Sequence, residues 1–515
     1  MTPRKPRIAV VGAGPGGLAS ALLLSKRGFD VAIYEKSAEV GGRSGRVRLG
    51  EYQFDVGSTL FMMKFMLDEI FELAELRLEE HLTFIPLDPM YRLQGSGHSL
   101  DVFTDPERMR AELASKFPGE EAGLDRFLLR ERRRMEKLFP CLQLSFSSLA
   151  GLARGKVLSA LPHLNVHRSL YDTMGDYFRP DFLKLAFSFQ SAYLGMSPWD
   201  CPGGFGIIPY VEHAYGIHHV EGGISAVFRK MAELVERQGG RVATSTPVRR
   251  VITSGGRATG LELEDGSQVE SDEVVLNADF AGAAQTLFEP GVLPSHTPEK
   301  LARMKYSCST FMLYLGLDKT YPMPHHTFVF SESYRDEMKA LFGSPTLGAD
   351  FSMYICNPSV SDPTMAPPGH SSLYVLVLVP NLGTAPLDWE TERAGLRQRT
   401  IDLLENRAGY AGLSGHIKAE ASITPEDWRR QLGVHLGAVF NFSHLPSQLL
   451  AFRPPHRLKD LSNVYLAGGG TSPGSGLPTI LESARIASDL ICRKHGVETR
   501  PPLPLPEPRA HAGRA

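Results

Sequence analysis

Cysteine is scarce: five residues in 515, at Cys141, Cys201, Cys308, Cys356 and Cys492, with no C-x-x-C pair among them. That excludes a dithiol redox centre and a Cys-rich zinc site, so no metal is expected. A reduced, cytoplasmic setting is the default for such a chain. Net charge is only −2, so the overall balance gives no reason to expect nucleic acid as a partner. Long apolar runs are missing too. None approaches the ~20 residues that span a bilayer, and the longest candidate, Leu373 to Val379, has the length of a buried strand. The basic start MTPRKPR leads into an apolar stretch broken by glycines and a proline, which argues against a signal peptide. Membrane contact is therefore expected to be peripheral. The length calls for two or three domains.

What the chain does have is glycine in ordered places. Ile8 to Val11 is a short apolar run, followed by Gly12, Gly14 and Gly17 in the spacing G-x-G-x-x-G, with Pro15 and Gly16 between. The first glycine permits the turn off a strand, the second lets backbone approach a pyrophosphate, and the third lets a helix pack closely on the sheet. A helix is expected from about Pro15 to a stop at Gly28. Its N-terminal N–H groups would face phosphates. A second strand, Asp30 to Tyr34, ends at Glu35 and Lys36. A carboxylate there accepts hydrogen bonds from a ribose diol and repels a 2′-phosphate, so NADP is disfavoured. Gly41-Gly42-Arg43 follows within a few residues. A second glycine turn with an arginine suits a long two-phosphate cofactor and favours FAD over NAD.

The fold class expected is α/β: a Rossmann-type FAD-binding domain assembled from separated segments, with a mixed-sheet and helical substrate domain. Residues 1–60, 221–300 and 431–496 are assigned to the FAD-binding part. Residues 61–220 read as a helical, substrate- or membrane-facing part, 301–430 as the substrate-side sheet and helices, and 497–515 as a disordered or polyproline Pro-rich tail. Gly123 to Leu138 forms an amphipathic helix bearing Arg126, Arg130, Arg132, Arg133, Arg134 and Lys137. Anionic lipid could bind there, but acidic neighbours favour a solvated face. Phe187, Phe189, Tyr193, Phe205 and Tyr210 are either core or the lining of a hydrocarbon site. Near the C-terminus, Val464 to Ala467 runs into a glycine loop from Gly468 to Pro478 and then a helix. This repeats the N-terminal design and offers N–H groups to a reduced flavin.

The chain resembles the FAD-dependent carotenoid desaturases of the bacterial phytoene desaturase type over about Arg7 to His495. The likeness rests on VVGAGPGGLASALLLSKRG with YEK and GGR, on FDVGST, VVLNAD, SCSTFMLYLGLD, SDPTMAPPGHSSLYVLV and TPEDW, and on NVYLAGGGTSPGSGLP. One departure is Ser472, which stands where the family loop commonly has His before Pro-Gly. The resemblance implies FAD, a hydrophobic polyene substrate, and peripheral attachment to the inner face of the cell membrane. It places Glu35 at the adenosine ribose, Gly12, Gly14, Gly17, Gly42 and Arg43 at the phosphates, and the Val248 backbone at the adenine. Gly469, Gly470, Gly476, Leu477 and Pro478 belong to the flavin loop.

The chemistry expected is removal of hydride to the flavin and of a proton from the neighbouring carbon. Asp55 and Glu482 are the weak candidates for proton acceptor. Oxygen or a quinone would take the electrons, because no second G-x-G-x-x-G unit serves NAD(P)H. Terminal-methyl oxidation, amine oxidation and a GDI-like lipid-binding chaperone remain as alternatives, and the carotenoid itself is not specified.

Overall fold

The computed structural model describes residues 4–343, 347–385 and 387–508. A five-stranded, all-parallel sheet carries the nucleotide unit, in the order Arg241–Ala243, Asp30–Tyr34, Arg7–Val11, Glu273–Leu276, Val464–Leu466. Its strands come from three distant parts of the chain. The strands Arg7–Val11, Glu273–Leu276 and Val464–Leu466 are largely buried because the sheet is covered on both faces, while Arg241–Ala243, at an edge, exposes Arg241. One face carries the helices Pro15–Lys26, Ser225–Arg237 and Leu477–Lys494, packed through Leu22, Val227, Met231, Leu481 and Ile491. The other face packs against an antiparallel meander, Val248–Ser254, Arg257–Leu263 and Gln268–Glu270. The fold class is thus α/β, as the sequence implied.

The second layer is a seven-stranded sheet in the order Ile417–Ile423, Ser309–Leu317, Ser371–Val379, Met353–Cys356, His326–Val329, Tyr91–Gly95, His98–Val102. Side chains alternate across it. Phe311, Leu313, Leu373, Val375 and Val377 pack under the helix Trp389–Asn406. Thr310, Met312, Tyr374, Leu376 and Leu378 face a large internal cavity. Leu373 to Val379 is therefore a strand, buried between a helix and the cavity.

Two differences from the sequence reading stand out. The segment 61–220 is not purely helical. The hairpin Tyr91–Gly95/His98–Val102 turns on Ser96 and Gly97, both at positive φ, and extends the substrate-side sheet. The described part of the Pro-rich tail is extended but docked rather than disordered. Leu503 N–H donates to Glu69 at 2.9 Å, Gln143 donates to the Leu503 carbonyl at 2.8 Å, and Tyr215 donates to the Pro506 carbonyl at 2.9 Å. Side chains of the folded core thus hold the tail by the tail's own backbone N–H and carbonyl groups. Residues 509–515 lie outside the described residues.

Candidate active site

The strand Arg7–Val11 ends at Gly12, held at φ +96° with its N–H on the Tyr34 carbonyl at 2.9 Å. Glu35 ends the neighbouring strand, buried, its carboxylate accepting from Ala13 N–H at 2.7 Å and Ser37 N–H at 2.8 Å. The close packing of the glycines is explained by Asn277, which the sequence shows only within the VVLNAD string. A Cβ on Gly14 would meet Asn277 Oδ1 at 2.6 Å, and one on Gly16 would meet Asn277 Nδ2 at 2.6 Å. A Cβ on Gly17 would sit 2.1 Å from the Gly12 carbonyl oxygen. Asn277 Nδ2 donates to the Ala467 carbonyl at 2.6 Å, so one side chain ties both glycine loops together.

Gly12, Gly14, Pro15, Glu35, Lys36, Gly42, Arg43, Val248, Gly469, Gly470, Gly476, Leu477 and Pro478 all line one cavity of about 710 Å³. Gly16 and Gly17 do not; they serve helix packing behind it. Arg43 sits at the waist, donating to the Val439 carbonyl at 2.8 Å and lying 3.7 Å from Asp279. Burial pulls its guanidinium below the usual range and pushes Asp279 up.

Behind the C-terminal loop lies Arg453, missed by sequence reasoning because no motif marks it. It is buried and donates to four carbonyls, that of Gly469 among them at 3.2 Å. Burial brings it down to about 9, so a cation is held beneath the loop near neutral pH. His444 lines the same end.

Beyond Arg43 the lining turns apolar and aromatic, through Met312, Phe328, Phe330, Leu376, Ile207 and Val211. A polar chain interrupts it. Thr59 Oγ1 lies 2.6 Å from the Tyr354 hydroxyl, which lies 2.8 Å from His326 Nδ1. His325, His326 and Cys356 are buried behind, their nitrogen and sulfur atoms within 4.8 Å of one another. No spacing signal reveals this group; it forms because His326 and Cys356 are register partners on adjacent strands.

Neither carboxylate named as a proton acceptor lines the cavity. Asp55 accepts from the N–H groups of Ile224 at 2.9 Å and Ser225 at 3.0 Å. Glu482 is buried in an ion pair with Arg485, which also holds Asp489 at 2.8 Å. Both are structural anchors: one fixes a helix start, the other neutralises a buried cation.

The two glycine turns and the apolar chamber share one cavity. The family model for flavin containing amine oxidoreductases matches residues 15–492, and by that match the chain is a flavoprotein oxidoreductase and belongs to that family. Within it, the chain is a member of the carotenoid desaturase group. It is 46% identical to 4,4'-diapophytoene desaturase (4,4'-diapolycopene-forming) of Methylomonas sp, covering 95% of this chain and 96% of that protein. It is 38% identical to the all-trans-zeta-carotene desaturase of Myxococcus xanthus, covering 97% and 96%. Cyclohexylamine oxidase from Brevibacterium oxydans shares the fold, with a TM-score of 0.57 at 16% identity over 96% of this chain and 100% of that one.

The cofactor is FAD, and the residues present fit it. The nucleotide end offers the N-terminus of the helix Pro15–Lys26, the Glu35 carboxylate, and a buried Asn277 Oδ1 that lacks a protein hydrogen-bond partner. The far end offers a glycine loop above a buried cation.

Proposed function

We propose that the protein desaturates an acyclic carotene, extending its conjugated chain, and that the C30 hydrocarbon 4,4'-diapophytoene is the first substrate to test. The observation that carries this reading is the single cavity running from Glu35 to Phe328 and Leu376. A polyene has no polar handle, so its binding comes from buried apolar area, at about 25 cal/mol per Å². The cavity wall supplies that area, and its length and bends would set which carotene fits.

In this reading Glu35 accepts from the adenosine ribose, Gly12, Gly14, Gly42 and Arg43 surround the phosphates, and the Val248 backbone faces the adenine. Gly469, Gly470 and Gly476 to Pro478 flank the ring end. Bound FAD supplies a two-electron acceptor for hydride. The chain's own residues orient the polyene and exclude water. The acceptor of the electrons is proposed to be oxygen or a quinone.

Peripheral attachment to the inner face of the membrane is proposed as the route of substrate entry. Leu149, Leu158, Leu161 and Val166 are exposed apolar residues of one short stretch, with Arg154 and Lys156 among them. This stretch packs through Leu152 and Leu164 near Ile207, which also lines the cavity. Among the described residues no helix is long and apolar enough to cross a membrane.

The test is co-expression with enzymes that supply 4,4'-diapophytoene, phytoene or lycopene, followed by pigment analysis. A red-shifted polyene from one of them is the expected result, whereas an oxygenated end would indicate terminal-methyl oxidation. Purified protein that takes up no FAD, or unchanged pigments with all three precursors, would overturn the reading.

A further inference from the structure

The paired tyrosine and histidine behind Thr59 are a polar feature of the apolar chamber wall whose geometry leads to a base. Tyr374 also lines the chamber, but its hydroxyl donates to the Gly57 carbonyl at 2.6 Å, and a carbonyl oxygen cannot keep a proton. Tyr354 instead meets an imidazole nitrogen at 2.8 Å. Thr59 stands two residues beyond Gly57, where a Cβ would lie 2.8 Å from the Arg43 carbonyl oxygen. The Tyr354 hydroxyl is thus at the cofactor end of the chamber.

From the geometry we infer that Tyr354 and His326 form the proton acceptor of the desaturation, Tyr354 facing the substrate and His326 taking the proton behind it. This rests on the carotene-desaturase reading given above. In the step, one substrate C–H bond breaks and its electron pair leaves as hydride to bound FAD. The neighbouring C–H breaks, and its electron pair becomes the new C=C bond. Its proton moves onto the Tyr354 oxygen as the phenolic proton passes to His326 Nδ1. One imidazolium results, and no other oxidant or base is required.

Burial holds the His326 imidazole down to about 3, so it rests neutral and able to accept. A weak base suffices, because a C–H beside a carbon that has lost hydride is a strong acid. Behind Tyr354 stands a run of histidines, with Nε2 of both His326 and His325 free of any protein hydrogen bond. His326, His325 and His219 follow one another with ring centroids 4.4 and 4.8 Å apart. His219 Nε2 lies 2.9 Å from Asp362. Burial pushes the Asp362 carboxyl up, but bonds from His219, Thr364 and Gly222 bring it down to about 2, so it stays ionised. Thr364 beside it is exposed.

The experiment compares wild type with Tyr354→Phe and His326→Asn as FAD-loaded proteins. The flavin is reduced anaerobically by the carotene that the wild type turns over, in H₂O and in D₂O. Both variants are expected to keep full flavin absorbance and a near-normal melt, while reduction slows about 100-fold. The solvent isotope effect on that step should be present in the wild type and lost in Tyr354→Phe. A second readout needs no turnover. In ¹⁵N-histidine spectra of the resting protein, one neutral imidazole should carry its proton on Nε2 with Nδ1 hydrogen-bonded, vanish in His326→Asn and shift in Tyr354→Phe.

Reduction of Tyr354→Phe at the wild-type rate with the isotope effect intact would overturn the inference. So would stoichiometric zinc or copper that is lost in His326→Asn, since a metal would occupy the imidazole. If no carotene reduces the wild-type flavin, the substrate reading fails separately. The pair is then judged by its ¹⁵N signature, whose absence overturns it.

Discussion

His444 Nε2 accepts a hydrogen bond from the backbone N–H of Ser475, 3.1 Å away. The family loop commonly carries a histidine of its own before Pro-Gly. Here that place is Ser472, whose hydroxyl donates to the Leu450 carbonyl at 2.9 Å. An imidazole therefore reaches the glycine loop from outside it, and a Cβ on Gly474 would lie 2.4 Å from His444 Nε2. His444→Ala leaves a buried N–H without an acceptor, at a cost of about 1–3 kcal/mol. Loop order should fall with it. The expected outcome is a lower melting temperature and FAD affinity weakened about tenfold, read by the return of flavin fluorescence on dilution.

Gly17 and Gly395 make a matched pair of glycine tests. At Gly17 an added Cβ meets the Gly12 carbonyl oxygen at 2.1 Å, backbone against backbone, so the helix must shift off the sheet. Gly17→Ala is expected to destabilise by at least the roughly 1–3 kcal/mol of ordinary overpacking and to empty the FAD site. Gly395 lies within the helix Trp389–Asn406, and nothing stands within 4 Å of its Cβ position. Gly395→Ala should stabilise by about 0.5–1 kcal/mol and leave FAD content unchanged. Denaturation curves and the flavin-to-protein absorbance ratio check both.

Local order made the nucleotide half legible. The turn at Gly12, the helix from Pro15, Glu35 and the loop from Gly468 are each set by residues close in sequence, so spacing alone carried them to one cavity. The chamber was less legible because contacts between distant strands create it. Whether Met312 or Tyr354 is core or lining depends on which face of a seven-stranded sheet is covered by the helix Trp389–Asn406, and Phe189 lines the cavity from the separate short helix Phe189–Leu194. Asn277 was hidden for another reason: its role is to fill the space three glycines leave. The docking of the tail on Glu69, Gln143 and Tyr215 uses backbone groups, which composition does not record.

Asp55 offers a direct contrast with Tyr354. If its two backbone bonds are its function, Asp55→Asn should weaken the start of the helix Ser225–Arg237 and lower stability by about 1–2 kcal/mol. Carotene-driven flavin reduction in the folded fraction should stay within about threefold of wild type, since Asn retains one acceptor oxygen. Loss of reduction by 100-fold with a normal melt would make Asp55 the base instead.

Glu212 gives the protein a pH signature independent of catalysis. The side chain is fully buried, and its Oε2 accepts from Tyr91 at 2.9 Å and from Gln190 at 3.0 Å. Burial outweighs these bonds and raises the carboxyl from 4.5 to about 7. Between those values the folded protein holds a proton that the unfolded chain has released, so stability falls as pH rises through this window. Below about 4.5 both states are protonated and the penalty is absent; above about 7 it is complete, at about 3 kcal/mol. Glu212→Gln keeps the shape and cannot ionise. Glu69 is raised to about 7 by burial as well, so the variant should still lose some stability toward alkaline pH. The difference between the two proteins isolates Glu212. In urea titrations from pH 5 to 8.5, the variant should gain about 2.5 kcal/mol on the wild type across the range, and parallel curves would mean that Glu212 is already ionised in the folded state at pH 5.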